Sequence, residues 1–131
     1  RLVRKLCTDR KEHKLTADET KQLEKSVQMD RIHAVLKEEG KISAKTGVSS
    51  LPFYEANPGG VCEEGYSGRV GIHEILEATP AIRDLILKGS TADAIEAQAK
   101  KEGMLTMLED GMYKAASGVT TIEEVLRVVN E

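Results

Sequence analysis

Thr79-Pro80-Ala81-Ile82-Arg83-Asp84-Leu85-Ile86-Leu87-Lys88-Gly89 is the stretch on which the fold turns. A threonine able to cap stands before proline at the first helical position, where a missing backbone N–H costs nothing. Ile82, Leu85 and Ile86 recur at helical spacing, and Gly89 can close the helix. The pattern repeats downstream. Ser90 or Thr91 caps a second helix with Ile95 and Ala99 turned inward, ending at Gly103. Leu105, Leu108, Met112 and Ala115 mark a third helix, ending at Gly118, and Thr120 or Thr121 opens a fourth with Ile122, Val125, Leu126 and Val129 on one face.

Working upstream, Arg69 to Leu76 alternates Val70, Ile72 and the Ile75 region with small or polar positions and predicts a strand. Gly65-Tyr66-Ser67-Gly68 and Asn57-Pro58-Gly59-Gly60 predict turns, with Phe53 to Ala56 a short strand between them and the segment before. Residues 41–52 read as a loop, the best candidate for a flexible segment. Ile32, Val35 and Leu36 predict a helix from about Asp30 that ends at Gly40. Thr16 with Glu19 has capping-box spacing before Leu23 and Val27. Residues 1–14 are dominated by charge around Leu2, Val3 and Leu6. The expected fold is therefore α+β and mainly helical, a small β-hairpin lobe on a C-terminal helical bundle. The expected division is 1–68 and 69–131.

The chain has 131 residues, about one domain, and 40% of them are hydrophobic. Aromatics make up 3%, so the core is expected to be aliphatic. Nineteen basic and 22 acidic residues leave a net charge of −3, which gives nucleic acid no basic face to bind. No apolar run approaches the length of a membrane span, and no signal peptide follows Arg1. The first residue is not Met, which reads as a boundary with upstream chain. Two cysteines, Cys7 and Cys62, allow at most one disulfide, and a reducing compartment is the expectation.

Catalytic chemistry is missing from the sequence. The glycine cluster Gly59-Gly60 leads into Val61-Cys62, without the lysine and Ser/Thr of a phosphate cradle. His13, His33 and His73 are scattered, with no paired metal-binding spacing. The chain alone is expected not to be an enzyme.

Three blocks carry a resemblance. Arg1-Leu2-Val3-Arg4-Lys5-Leu6-Cys7, Gly65 through Leu76, and Gly103 through Asp110-Gly111 to Gly118 through Val128 stand in order and nearly span the chain. They resemble the "RLVRxLC", "GYxGRxGIxEhL" and "EGMxTLxxDGxxKxxxGxTTxEEVxRV" segments of the PilB/GspE family, the type IV pilus assembly and type II secretion ATPases. That resemblance implies the C-terminal subdomain of a hexameric, cytoplasmic motor peripheral to the inner membrane. It implies ATP and magnesium in the full-length parent, with the nucleotide motifs upstream of residue 1. It implies as partners the parent's own ATPase core, neighbouring subunits of a homohexamer and an inner-membrane platform protein.

The family's lobe holds zinc with two Cys-x-x-Cys pairs. Here Arg10 occupies one ligand position, and Cys62 alone remains of the second pair. Two thiols, even joined by His13, fall short of a tetrahedral site, so zinc is not expected at the degenerate positions Cys7 and Cys62. The expectation is two reduced, partly buried cysteines facing each other, with the insertion over 15–50 stabilising the lobe in the metal's place.

Interface candidates are Arg69, after two glycines; Arg83, in a segment resembling "AIRNLIRE" of the related retraction ATPases; and His73 with Glu74, a polar contact between lobe and bundle. Gly65, Gly68 and Gly71 are expected to supply turn dihedrals and close packing. The subdomain is expected to move as a rigid body on the core. The rival readings are a non-enzymatic helical adapter and a degenerate nucleic-acid-binding zinc ribbon.

Overall fold

Chain order in the computed structural model is β1 (Leu2–Leu6), β2 (Lys11–Lys14), α1 (Ala17–Glu24), α2 (Met29–Glu38), β3 (Pro52–Glu55), β4 (Tyr66–Gly71), α3 (Pro80–Leu87), α4 (Ala92–Lys101), α5 (Met107–Ala116) and α6 (Ile122–Val129). The structure describes residues 1–43, 45–47 and 50–130. The expected loop at 41–52 falls partly on Ala44, Val48 and Ser49, outside the described residues. The fold is α+β and mainly helical, with six helices and two small antiparallel sheets among the described residues.

The helix starts follow the local rules. Thr16 and Thr106 each form a complete capping box, with Glu19 and Glu109 respectively. Thr79, Thr91 and Thr121 each accept the N–H three residues on, and Pro80 sits in the first turn of α3.

The sheets depart from the expected hairpin. β1 pairs with β4 and β2 with β3, so the second ladder is nested inside the first. The charge-rich first 14 residues thus form two strands, because Val3 and Leu6 bury while β2 is polar edge strand. β4 also starts earlier than expected and stops at Gly71. Beyond Ile72 other partners take over from the ladder: the His73 N–H donates to Asp110 and the Glu74 carboxylate accepts the Met107 N–H, both on α5. The β1–β4 register slips between Arg4 and Leu6, with an extra residue in β4 where Gly68 has φ +77°. A left-handed residue in such a bulge is where glycine is favoured.

The main core joins α1, α2 and β3 to α5 and α6, through Leu23, Ile32, Leu36, Phe53, Met112 and Val125. A smaller cluster of Val3, Ile72 and Val128 sits under the β1–β4 ladder. Both the ladder and the main core draw on residues either side of position 68. The segment 15–50 therefore supplies much of the apolar interior, and burial of apolar surface is the largest favourable contribution to folding.

Candidate functional site

The three sequence blocks meet at one place. β1 of the first block is laddered to β4 of the second, and α6 of the third lies against β1. Thr121 caps α6 and puts Glu124 at the third helical position, on the same side as Val125 and Val128, so its carboxylate is carried inward. Glu124 is 2% exposed.

A buried carboxylate is costly unless it is paired. Arg4 supplies its backbone N–H and Nε to Glu124 Oε1 and Nη2 to Oε2, all at 3.0 Å. Arg127 adds Nε to Oε2 at 3.1 Å and Nη2 to Oε1 at 3.0 Å. The Arg4 guanidinium also lies over the Tyr66 ring, 4.2 Å from its centroid. The Tyr66 hydroxyl is 3.0 Å from that of Thr121, and the Thr120 hydroxyl donates to Arg4 O at 2.8 Å. Burial alone would push the Glu124 carboxyl up. The hydrogen bonds from Arg4 and Arg127 outweigh it and hold the pKa down at about 2. Two guanidinium forks closed on one carboxylate form a lock between strand and helix.

A second ion pair joins α2 to α5. Arg31 of α2 donates from Nη1 to both oxygens of Glu109, at 2.6 and 2.8 Å, and from Nη2 to the Met104 carbonyl. Glu109 is 3% exposed and at the same time completes the α5 capping box.

The degenerate metal positions hold a correction. Cys7 and Cys62, expected to be reduced, are joined as a disulfide across 55 residues of chain. The β1–β4 pairing brings the 62–65 turn onto the end of β1, where the Cys7 N–H donates to Gly65 O at 3.0 Å. The two Cα atoms are then 6.2 Å apart, within reach of a bridge. Nearby, Asp9 Oδ2 accepts from the Val61 N–H and from Asn57, which hold its carboxyl below the usual range. His13 is engaged elsewhere, 3.2 Å from Glu19 of α1. The residues at the zinc positions do not fit zinc, since both thiols are spent on each other. Among the described residues no group of three or more His, Cys, Asp or Glu is placed to hold a metal.

The interface candidates separate. His73 and Glu74 link the end of β4 to α5 through the two hydrogen bonds given above. Arg69, opposite Arg4 in the ladder, is exposed, as is Arg83 on α3, and neither side chain has a hydrogen bond or ion pair among the described residues. Sequence reasoning quoted Arg4, Tyr66 and Glu124 as motif letters without giving them roles. One signal was available for Glu124: it stands at cap spacing from Thr121 and four residues before Val128. Arg31 had no such signal, because its partner is 78 positions away.

In this mainly helical domain the three blocks close on each other. The type II/IV secretion system protein family matches residues 1–127, and this chain belongs to that family. The Pseudomonas aeruginosa type IV pilus assembly ATPase PilB is 34% identical over 132 residues, covering 100% of this chain and 20% of that protein. PilB of Thermus thermophilus is 50% identical over 62 residues, covering 47% of this chain and 7% of its own length. The type II secretion system protein E of Xanthomonas campestris is 46% identical over 67 residues, covering 51% of this chain and 12% of that protein. The chain therefore spans a fifth or less of these relatives. Among the described residues no helix is long and apolar enough to cross a membrane.

Proposed function

We propose that this chain is the C-terminal subdomain of a hexameric secretion-superfamily ATPase that powers type IV pilus assembly or type II protein secretion. Its part is to pack subunits and transmit force, while ATP and magnesium bind the parent's upstream core. The observation that carries this reading is the convergence of the three blocks on a locked, non-catalytic junction, with Arg83 left exposed on a peripheral helix. In this reading the regions 1–68 and 69–131 travel together on the core at the cytoplasmic face of the inner membrane, near a platform protein. Arg83 on α3, with Arg69 on β4, reaches the neighbouring subunit, where a guanidinium suits a bidentate carboxylate. The exposed Ile75 and Leu87, at 75% and 84%, add apolar surface of the kind that subunit contacts cover. The implied role of zinc does not transfer, because the disulfide occupies its place.

The test is Arg83→Glu in the full-length parent and in the 131-residue chain. The isolated chain should keep its stability within about 0.5 kcal/mol, as exposed substitutions do. The parent should lose assembly-dependent ATP turnover severalfold. Unchanged turnover and assembly in the parent would remove the packing role.

A further inference from the structure

A groove of about 910 Å³ runs between α1, β3, β4 and α6. Leu15, Ile122 and Leu126, each half-buried, give it apolar lining, with the buried Leu23 and Phe53 of the core beneath them. Glu19, Glu55, Glu64 and Glu123 also border it, against the Arg4 guanidinium and the His13 imidazole. Both already face carboxylates: Arg4 is held by Glu124 and stacked on Tyr66, and His13 sits on Glu19. The Glu55 and Glu123 side chains are exposed and have no hydrogen bond or ion pair among the described residues. The uncompensated charge facing the groove is therefore negative.

An open groove with apolar lining and carboxylate borders is complementary to one kind of occupant. We infer that it receives a basic amphipathic helix of a partner protein, with leucine-type side chains inward and Lys or Arg outward over Glu55 and Glu123. Three apolar residues at i, i+3 and i+7 span about 10 Å of such a helix. A small-molecule site would instead gather polar groups at its floor. Here the lining polar side chains without a hydrogen-bond partner among the described residues include Gln22, Ser26, Glu55, Glu123 and Asn130, all exposed at the border, whereas Thr121 and Tyr66 are bonded to each other and Glu124 to Arg4. The inference is independent of the motor role, since it rests on the groove alone.

The probe is a synthetic 14-residue helix of leucine and lysine with leucines on one face, titrated into the isotopically labelled chain and followed by amide chemical shifts. Shifts should concentrate on α1, β3 and α6 and saturate. Glu55→Gln with Glu123→Gln should weaken binding about tenfold, the size of two exposed ion pairs. Removing the same charge elsewhere, by Glu38→Gln with Asp93→Asn, should change it less than twofold. All four positions are exposed, so folding is not at risk, and thermal melts check it. The inference is overturned if the same peptide with glutamate in place of lysine binds as well, or if the shifts fall on α3 and α4. It is equally overturned by no saturation at millimolar peptide, or by self-association of the chain through the groove.

Discussion

At the scale of single residues, Glu124 is where acid should act first. Its carboxyl is held at about 2 in the folded state, against an ordinary 4.5. A depressed carboxyl contributes stability above its unfolded pKa, and that contribution is lost as pH falls from about 4.5 towards 2. Urea unfolding across this window should show a loss of roughly 2–3 kcal/mol from this group. Glu124→Gln should cost a similar amount at pH 7 and flatten the pH dependence below 4.5; an unaltered acid limb would show that other carboxylates dominate. Gly111 makes a second case. A Cβ there would stand 2.4 Å from Val125 Cγ1, where α5 crosses α6. Alanine would raise helix propensity by about 1 kcal/mol, yet overpacking a tight core costs about 1–3 kcal/mol. Gly111→Ala should therefore destabilise on balance, and Val125→Ala should partly rescue it in a double-mutant cycle. Additive losses would mean that the helices do not meet there.

At the scale of elements, the helices were legible and the strand pairing was not. A threonine and the N–H three residues on lie within one turn, so the caps at Thr16, Thr79, Thr91 and Thr121 can be read locally. The β1–β4 ladder joins Leu2 to Gly71, and nothing in Arg1–Leu6 names a partner that far along the chain. The same long range hid the Arg31–Glu109 pair and the disulfide, although Cys7 and Cys62 were singled out as a facing pair. Both are testable. Arg31→Met leaves Glu109 buried without its cation and should cost about 3 kcal/mol. Arg31→Lys should recover only part of that, because a single ammonium nitrogen lacks the planar fork whose two nitrogens reach the Glu109 carboxylate and the Met104 carbonyl separately. Reduction, or Cys62→Ser, frees a 55-residue loop in the unfolded chain and should cost about 2–4 kcal/mol, a fall of roughly 10 °C in Tm. A melt insensitive to reductant would mean that the thiols are free in solution.

At the scale of the whole molecule, burial is unevenly shared. α5 buries Met112, Ala115, Ala116, Gly111 and Glu109, and α6 buries Glu124, Val125 and Val128. α3 buries only Ile82 and α4 only Ala99. The α3–α4 pair is held to itself by the Thr79 hydroxyl donating to Glu102 at 2.9 Å, and to the body largely through Arg31 at the C-terminal end of α4. Local opening is governed by how much apolar contact must be broken, so this limb should open at lower free energy than the rest. Native-state hydrogen exchange should show amides of α3 and α4 exchanging well before those of α5, α6 and the β1–β4 ladder. Arg31→Met should widen that gap by loosening the limb's attachment. Arg83 rides on this limb, so a limb that opens alone gives the exposed guanidinium its own mobility relative to the locked junction. Uniform protection across all six helices would instead make the chain one cooperative body, and Arg83 could then reach a neighbour only by motion of the whole.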